Sequence, residues 1–506
     1  MNQRPSPTGK VFLVGAGPGD PGLITVRGLE CLEQADLVLY DYLVNPLILQ
    51  HARRGIELIC LGRHGRGRIW TQDEINQQMI QAAQAGQCVV RLKGGDPAIF
   101  ACGAQEIGVL QEAGVSFEVV PGITTALAAG SYAGVPVTHR DLASAVALIT
   151  GQEDSEKNDS IDYASLAKFP GTLVMYMGVT TAPTWTSALI EAGKPGDTPA
   201  AIVRRCSLPD QEIIRCNLSE VAERLVSPQR IRPPVVVILG AVASLSQSWS
   251  WFDRRPLSGN RILVTRPADQ AAWLQKKLAD LGAEVLTQPA IEVSEPDDWS
   301  PVDRAIERLS NFDWLVFSSC NGVSFFMDRL YQLGLDVRVI GGLQLAAIGP
   351  RTVEALRSYG LVANVQPSRF CADDLAHTLS VDARGKRFLL ARASRGREVL
   401  SQELKQAGAE VTQVVTYQSR DVEGADPDVT AALEAGTIDW VTVTSSAIAR
   451  SLVSLFGRDL QKTRIASISP VTSSTLRELG VSVDAEAQQY TMQGLVEALR
   501  STLKDR

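Results

Sequence analysis

No CxxC pair occurs in the 506 residues and only four histidines are present, so neither a zinc site nor a disulfide framework has its raw material. The eight cysteines stand singly, which suits a reducing cytoplasm. No apolar run reaches the ~18 residues of a membrane span. The longest dense one, Val235–Leu239, is of strand length. The polar stretch Met1–Lys10 lacks the apolar core of a secretory signal. A basic excess is missing too: net charge is −7, with no basic stripe of the kind that binds nucleic acid. A polyanionic ligand therefore needs local arginine clusters to hold it. What is there is ordinary globular material, 45% apolar and 21% charged, long enough for about three to five domain-sized units.

Two halves separate near residue 250. Ser244–Gly259 is rich in Ser, Pro and Gly without a clear period and reads as a linker, whose tryptophans are expected to pack back onto a domain. In the first half, β-branched runs predict strands at Val11–Val14, Leu37–Tyr40, Glu57–Leu61, Val89–Leu92 and Phe117–Val120. A second set follows at Ala145–Thr150, Thr172–Tyr176, Ala200–Val203, Glu212–Cys216 and Val235–Leu239. Alternation with helical stretches is the α/β pattern of buried parallel strands with crossover helices. Two lobes result, 8–120 and 121–245, followed by a linker at 246–259. The acidic stretch Glu153–Asp162 reads as an exposed loop.

The second half repeats itself. Arg261–Arg266 recurs as Arg387–Arg392, Gly282–Val285 as Gly408–Val411 and Asp313-Trp314 as Asp439-Trp440, each 126 residues on. Ile348–Thr352 matches Ile468–Thr472 at an offset of 120. Such a period is a whole domain rather than a solenoid unit. It predicts two similar α/β lobes with a cleft between them as the default ligand site.

The first turn, Gly15-Ala16-Gly17-Pro18-Gly19-Asp20, begins like GxGxxG but fails as a dinucleotide fingerprint. Asp20 puts a carboxylate where pyrophosphate would sit, and Pro18 removes a backbone donor. A cationic or neutral ligand suits the loop, as does a tight turn with no ligand. In Arg91-Leu92-Lys93-Gly94-Gly95-Asp96-Pro97 the glycines allow close backbone approach. Asp96 there could accept from a ribose or amino group, or cap the helix begun by Pro97. Val119–Ala126 is a further strand–turn–helix start, followed by Gly134–Arg140.

Together with Ala35–Val44 and Met175–Gly178, these motifs in this order resemble the tetrapyrrole methylase family over about residues 8–252, most closely its uroporphyrinogen-III C-methyltransferases. The resemblance implies S-adenosylmethionine as cofactor, with contacts at Pro18, Gly94, Gly95, Asp96, Ile99, Thr124, Thr125, Met177 and Cys206. It implies Asp41 as the general base, whose bland alternative is a cap or loop carboxylate. Three positions depart from the family. Arg63 follows Gly62 where a Gly-Lys motif supplies a proposed proton donor, and reads as a carboxylate clamp. Cys206 stands for a glycine, and Gln152 ends a Thr-Gly-His motif. Carboxylates of the substrate would meet arginines such as Arg63, Arg66, Arg68, Arg91, Arg140, Arg204 and Arg205.

The second half resembles uroporphyrinogen-III synthase over about residues 258–500, through Val264–Pro267, Phe317–Val323, Ala347–Thr352, Thr416–Ser419, Thr442–Ile448 and Ser467–Leu476. This implies a two-lobed, flavodoxin-like α/β fold joined by a β-ladder, with lobes 260–290 plus 418–506 and 291–417. It implies Tyr417 assisting loss of the substrate hydroxyl, or serving as a hinge aromatic. Strand-end turns would hold the substrate through Ser319, Asn321, Thr352, Ser445, Ser446 and Thr472, with Arg266 and Arg392 facing the cleft. The whole chain is then expected to cyclise hydroxymethylbilane to uroporphyrinogen III and to methylate it at C2 and C7 to precorrin-2. The alternatives are methylation of a later corrinoid and a non-catalytic cofactor-binding sensor. No metal, nucleic acid or membrane is expected, and the expected assembly is a cytoplasmic homodimer through the first half.

Overall fold

The computed structural model describes residues 9–53, 55–62, 69–153, 161–226, 231–245, 249–369, 372–396 and 398–504. Arg63, Arg66, Arg68 and most of the acidic stretch Glu153–Asp162 lie outside the described residues. The chain forms two compact units, Met1–Ile262 with Gln275–Val285 and Arg500–Arg506, and Leu263–Leu274 with Leu286–Leu499. Among the described residues no helix is long and apolar enough to cross a membrane.

In the first unit, β1 (Lys10–Gly15), β2 (Leu37–Tyr40), β3 (Glu57–Cys60), β4 (Cys88–Lys93) and β5 (Ser116–Val120) form an all-parallel sheet in the order β3-β2-β4-β1-β5. Alternate side chains feed two cores. Val11, Leu13, Leu37, Leu39 and Val89 face one, and Phe12, Val14, Val38, Val90 and Leu92 face the other. Burial on both faces explains why these strands read as continuous apolar runs. The crossover helices start on local signals: Gln72–Gln84 opens on a reciprocal Thr71/Glu74 capping box.

β6 (Val146–Thr150), β7 (Thr172–Tyr176), β8 (Pro199–Arg204), β9 (Glu212–Asn217) and β10 (Val235–Leu239) form a second sheet, ordered β6-β7-β10-β8-β9. Unlike the first sheet, this one is mixed. Only β6 and β7 run parallel; β10 is antiparallel to β7 and β8, and β8 to β9. The turn 205–211 is too short for a crossover, which needs about a dozen residues, so β8 and β9 close as a hairpin. Beyond β10, Trp251 donates through Nε1 to Ser131 O at 3.0 Å, and Trp251 and Phe252 both pack on the Tyr132 ring.

The other two sheets use β11 (Arg261–Val264), β12 (Glu284–Thr287), β13 (Ile291–Ser294), β14 (Trp314–Phe317), β15 (Gln344–Ala347), β16 (Arg387–Ala393), β17 (Glu410–Asp421), β18 (Trp440–Val443), β19 (Arg464–Ser467) and β20 (Ala485–Glu486). One is ordered β12-β11-β18-β19-β20 and the other β13-β17-β16-β14-β15. Under the repeat, β11 corresponds to β16, β12 to the start of β17, β14 to β18 and β15 to β19. Strand order is therefore the same in both sheets, but each sheet takes two of its five strands from one repeat and three from the other. The exchange runs through a two-stranded ladder: β13 pairs antiparallel with the end of β17, Ile291 opposite Asp421 and Ser294 opposite Gln418. The two paired segments are themselves repeat-equivalent. The fold is thus a pair of α/β lobes in the first half and two β-ladder-linked α/β lobes in the second.

Candidate active sites

Three loops meet at the carboxyl ends of the first sheet, where open α/β sheets bind ligands. After β1 and β4, Gly17 and Gly95 exchange backbone hydrogen bonds, Gly95 N–H donating to Gly17 O at 2.7 Å and Gly17 N–H to Gly95 O at 3.1 Å. A Cβ on Gly15 would lie 2.5 Å from the Gly122 Cα in the loop after β5, so only glycine admits this approach. Asp96 ties the loops together: Oδ1 accepts from the Ala98 N–H at 2.8 Å and Oδ2 from the Gly122 N–H at 2.9 Å. Asp20 is likewise committed, accepting from the Gly22 N–H at 2.8 Å and the Tyr132 hydroxyl at 2.9 Å.

Beside these loops lies a cavity of about 340 Å³ lined by Asp96, Ile99, Gly122, Thr124, Ala126, Leu127, Val137, Val146 and Leu148. Of the expected cofactor contacts it gathers Asp96, Ile99 and Thr124; Pro18, Gly94, Gly95 and Thr125 sit on the converging loops and the following helix. Met177 follows β7 at φ +52°, a left-handed conformation unusual for its type. Cys206 goes elsewhere. Its side chain is buried with Ala126, Ala129 and Val203, and burial pushes its thiol up to about 12. It is a neutral core residue outside the cavity lining. Tyr176, quoted only as part of a motif, proves to hold the site: its hydroxyl lies 2.7 Å from Thr124 Oγ1 and accepts from the Ala126 N–H at 2.7 Å.

Asp41 ends β2 at the same edge. Its Oδ1 meets Arg91 Nη2 at 2.6 Å, and the Gly94 N–H points at its Oδ2 from 3.4 Å. Arg91 was expected to meet a substrate carboxylate; the structure instead buries it, 3% exposed, between Asp41 and Glu106. A guanidinium so enclosed needs internal partners and cannot serve the surface. Arg204 and Arg205 both pair with Asp210. Arg140 is exposed in the turn bracketed by His139 and Ala143. Gln152 is exposed as well.

In the second half the polar groups cluster at helix starts. Ser319, Ser445 and Ser469 each adopt an extended N-cap conformation and accept a backbone N–H three residues on. Ser319 Oγ also lies 3.0 Å from the Tyr417 hydroxyl, and Phe325 stacks on the Tyr417 ring. Burial pushes the Tyr417 phenol up, so its proton stays on through the neutral range. Gln270 donates to Asn321 Oδ1 at 3.0 Å. Arg266 donates to Gln270 Oε1 at 2.8 Å and to Thr444 Oγ1 at 3.2 Å; its repeat-equivalent Arg392 pairs with Glu398 and Gln413. Ser446 Oγ accepts from Thr475 Oγ1 at 2.9 Å. Thr352 and Thr472, expected to offer hydroxyls, are buried in the first turns of their helices, and Thr472 Oγ1 already pairs with Ser469 Oγ. Among the described residues no cluster could hold a metal ion.

Glycine loops over a largely apolar cavity, followed by two lobes with hydroxyl-capped helices, describe a two-enzyme chain. A family model described as tetrapyrrole (corrin/porphyrin) methylases matches residues 10–222, and one described as uroporphyrinogen-III synthase HemD matches residues 273–497. The porphyrin biosynthesis protein HemD of Ruminiclostridium josui is 33% identical over 498 residues, 98% of this chain and 96% of its own length. The uroporphyrinogen-III C-methyltransferase of Bacillus subtilis (strain 168) is 35% identical over 71% of this chain and 74% of its own. The structure of the Thermus thermophilus uroporphyrin-III C-methyl transferase complexed with S-adenyl homocysteine is 38% identical over 47% of this chain and 94% of its own, at a TM-score of 0.40. The chain belongs to the family that fuses a tetrapyrrole methylase to a uroporphyrinogen-III synthase. It is a bifunctional enzyme of tetrapyrrole biosynthesis, an S-adenosylmethionine-dependent methyltransferase in its first half and a synthase in its second.

The first-half cavity fits that cofactor. Its lining is apolar apart from Asp96, Thr124 and loop backbone, with no cation to receive phosphate. Gly95 stands at φ +72° with nothing within 4 Å of where a Cβ would project, the open space of a cradle.

Proposed function

We propose that the second half closes hydroxymethylbilane to uroporphyrinogen III and that the first half methylates this product at C2 and C7 to give precorrin-2. The residues we assign to cofactor are Gly94, Gly95, Asp96, Ile99, Thr124 and Thr125, with Pro18 and Met177 at the rim. When bound, S-adenosylmethionine supplies an activated methyl group on a cationic sulfonium. The chain's part is to hold the pyrrole carbon in line with that methyl, and orientation of this kind is worth orders of magnitude. Asp41 then takes the proton that the alkylated macrocycle loses. The observation that carries this assignment is the Arg91–Asp41 contact at 2.6 Å, which commits Oδ1 and, among the described residues, leaves Oδ2 with only the long 3.4 Å approach of Gly94 N–H.

In the second half we assign the substrate to the turns at Ser319, Asn321, Ser445 and Ser446, with Arg266 and Arg392 behind them. Tyr417, buried and protonated, donates a hydrogen bond to the departing hydroxyl. Bending the linear chain so that the substituted ring-D carbon closes is the main task, and neutral donors suffice for it. The lobe boundaries we propose are 260–290 with 418–506, and 291–417. The assembly we propose is a homodimer through the first half. A cytoplasmic setting suits cysteines that are free wherever they are described.

Incubation of the full chain with hydroxymethylbilane, with and without S-adenosylmethionine, tests the sequence of reactions. Isomer-III product followed by two methylations is expected. Isomer-I product alone would remove the synthase assignment. Isomer III that is never methylated would make the first half a cofactor sensor.

A further inference from the structure

Behind Asp41 lies a set of ionised groups that neither activity uses directly. Glu106, in the helix Gly103–Glu112, is fully buried, yet its Oε1 receives Arg91 Nε at 3.1 Å, Lys93 Nζ at 2.8 Å and Gln72 Nε2 at 3.2 Å. Arg91 and Lys93 are themselves 3% and 2% exposed. Two carboxylates and two cations thus balance, and only Asp41, about a third exposed, reaches the site. Three buried ions are costly in a core unless each is paired. Their arrangement has one outlet, the carboxylate of Asp41.

We propose that Glu106 is a positioning residue for methyl transfer, acting on Asp41 through Arg91. The inference rests on the reading of Asp41 as the proton acceptor. Glu106 accepts from Arg91 Nε and neutralises Lys93, so Arg91 presents Nη2 to a single oxygen of Asp41. Oδ2 is then held toward Gly94 and the cofactor loop. Without the Glu106 charge, Arg91 and Lys93 would share one carboxylate between them. Asp41 would be drawn inward and both its oxygens occupied by cations.

The test is steady-state kinetics of the full chain with uroporphyrinogen III and S-adenosylmethionine, alongside calorimetric cofactor affinity and the synthase rate of the second half. Glu106→Gln should lower kcat by about 10- to 100-fold, with KM for uroporphyrinogen III, cofactor affinity and synthase rate each within about threefold. Glu106→Gln with Lys93→Met restores the charge balance and should recover most of kcat. The pair Asp41→Asn and Glu106→Gln should be no slower than Asp41→Asn alone, since one acts through the other. Additive losses, a rise in KM alone, or an unchanged kcat in Glu106→Gln would overturn the proposal while leaving Asp41 as the base. An unchanged rate in Asp41→Asn would instead remove the reading on which it rests. If Glu106→Gln does not fold, the balanced double variant decides: a kcat near that of the unaltered chain supports the proposal, and one as low as Asp41→Asn overturns it.

Discussion

At the carboxyl ends of the first sheet, Asp41, Arg91, Lys93 and Glu106 lie within hydrogen-bond reach in a chain, three of them buried. At the helix starts of the second half the groups are neutral: Ser319 beside Tyr417, Ser446 beside Thr475, Ser469 beside Thr472. Under the roles proposed above, the difference follows the chemistry. A methyl transfer that ends in proton removal needs one carboxylate held in one orientation, and buried ion pairs hold it rigidly. A cyclisation governed by how a flexible substrate bends needs many modest donors spread over two lobes. Charge is concentrated where a single atom must be placed, and hydroxyls are dispersed where a shape must be held.

The comparison can be broken or sharpened by substitution. The largest effect expected is in folding. Fragment 291–417 holds β14 to β16 and β17 as far as Tyr417, the four-stranded body of one sheet without the ladder partners of β13, and should melt cooperatively by circular dichroism, whereas 258–386 holds parts of two sheets and should not. The reverse outcome would make the lobes consecutive. Next, Gly95→Leu should weaken cofactor binding by ~100-fold or more in calorimetry, because a side chain would be strained at φ +72° and would fill the cradle. Its synthase rate should not move, so a loss in both activities would undo the separation of the halves. Asp41→Asn should keep cofactor affinity and slow methylation by about 10²-fold. Tyr417→Phe should slow the synthase by about tenfold, the worth of one hydrogen bond. Because burial raises the phenol, deprotonation of Tyr417 should not limit the synthase at any pH below the ordinary phenol value of about 10. A fall in rate through pH 8–9 with Tyr417 present and absent alike would assign that limb elsewhere. Smallest, Ser445→Ala should cost about 1 kcal/mol of stability through its lost cap. Its repeat-equivalent Ser319→Ala should cost the same and slow the synthase more than Ser445→Ala does, since Ser319, of the two serines, touches Tyr417.

Much of the fold was legible because the central strands are buried on two faces and so read as apolar runs; β1, β2, β4 and β7 fall where Val, Ile and Leu cluster. Strand direction in the second sheet was not, because direction depends on which strands pair, and β10 inserts between β7 and β8 after a helix. The glycine loops were legible as motifs, since close backbone approach demands that residue type. The role of Glu106 was not. Its helix shows buried positions at Gly103, Glu106 and Leu110, a plain inward face. The cations that make Glu106 matter lie on a different element, and no local pattern announces them. Arg91 illustrates the same limit from the other side: an arginine beside a glycine loop looks available until its burial is known.

The exchange of strands between repeats also orders events during synthesis. Thr265 Oγ1 donates to Thr442 O across 177 residues of chain, so the lobe begun at β11 cannot close until β18 has left the ribosome. The lobe of β13 to β17 is finished before that, inside its host. The first half, with its own two sheets, is complete before either. A nascent chain of this protein can therefore hold a finished methyltransferase while the opening strands of its last lobe, adjacent only to each other, still wait for partners not yet translated.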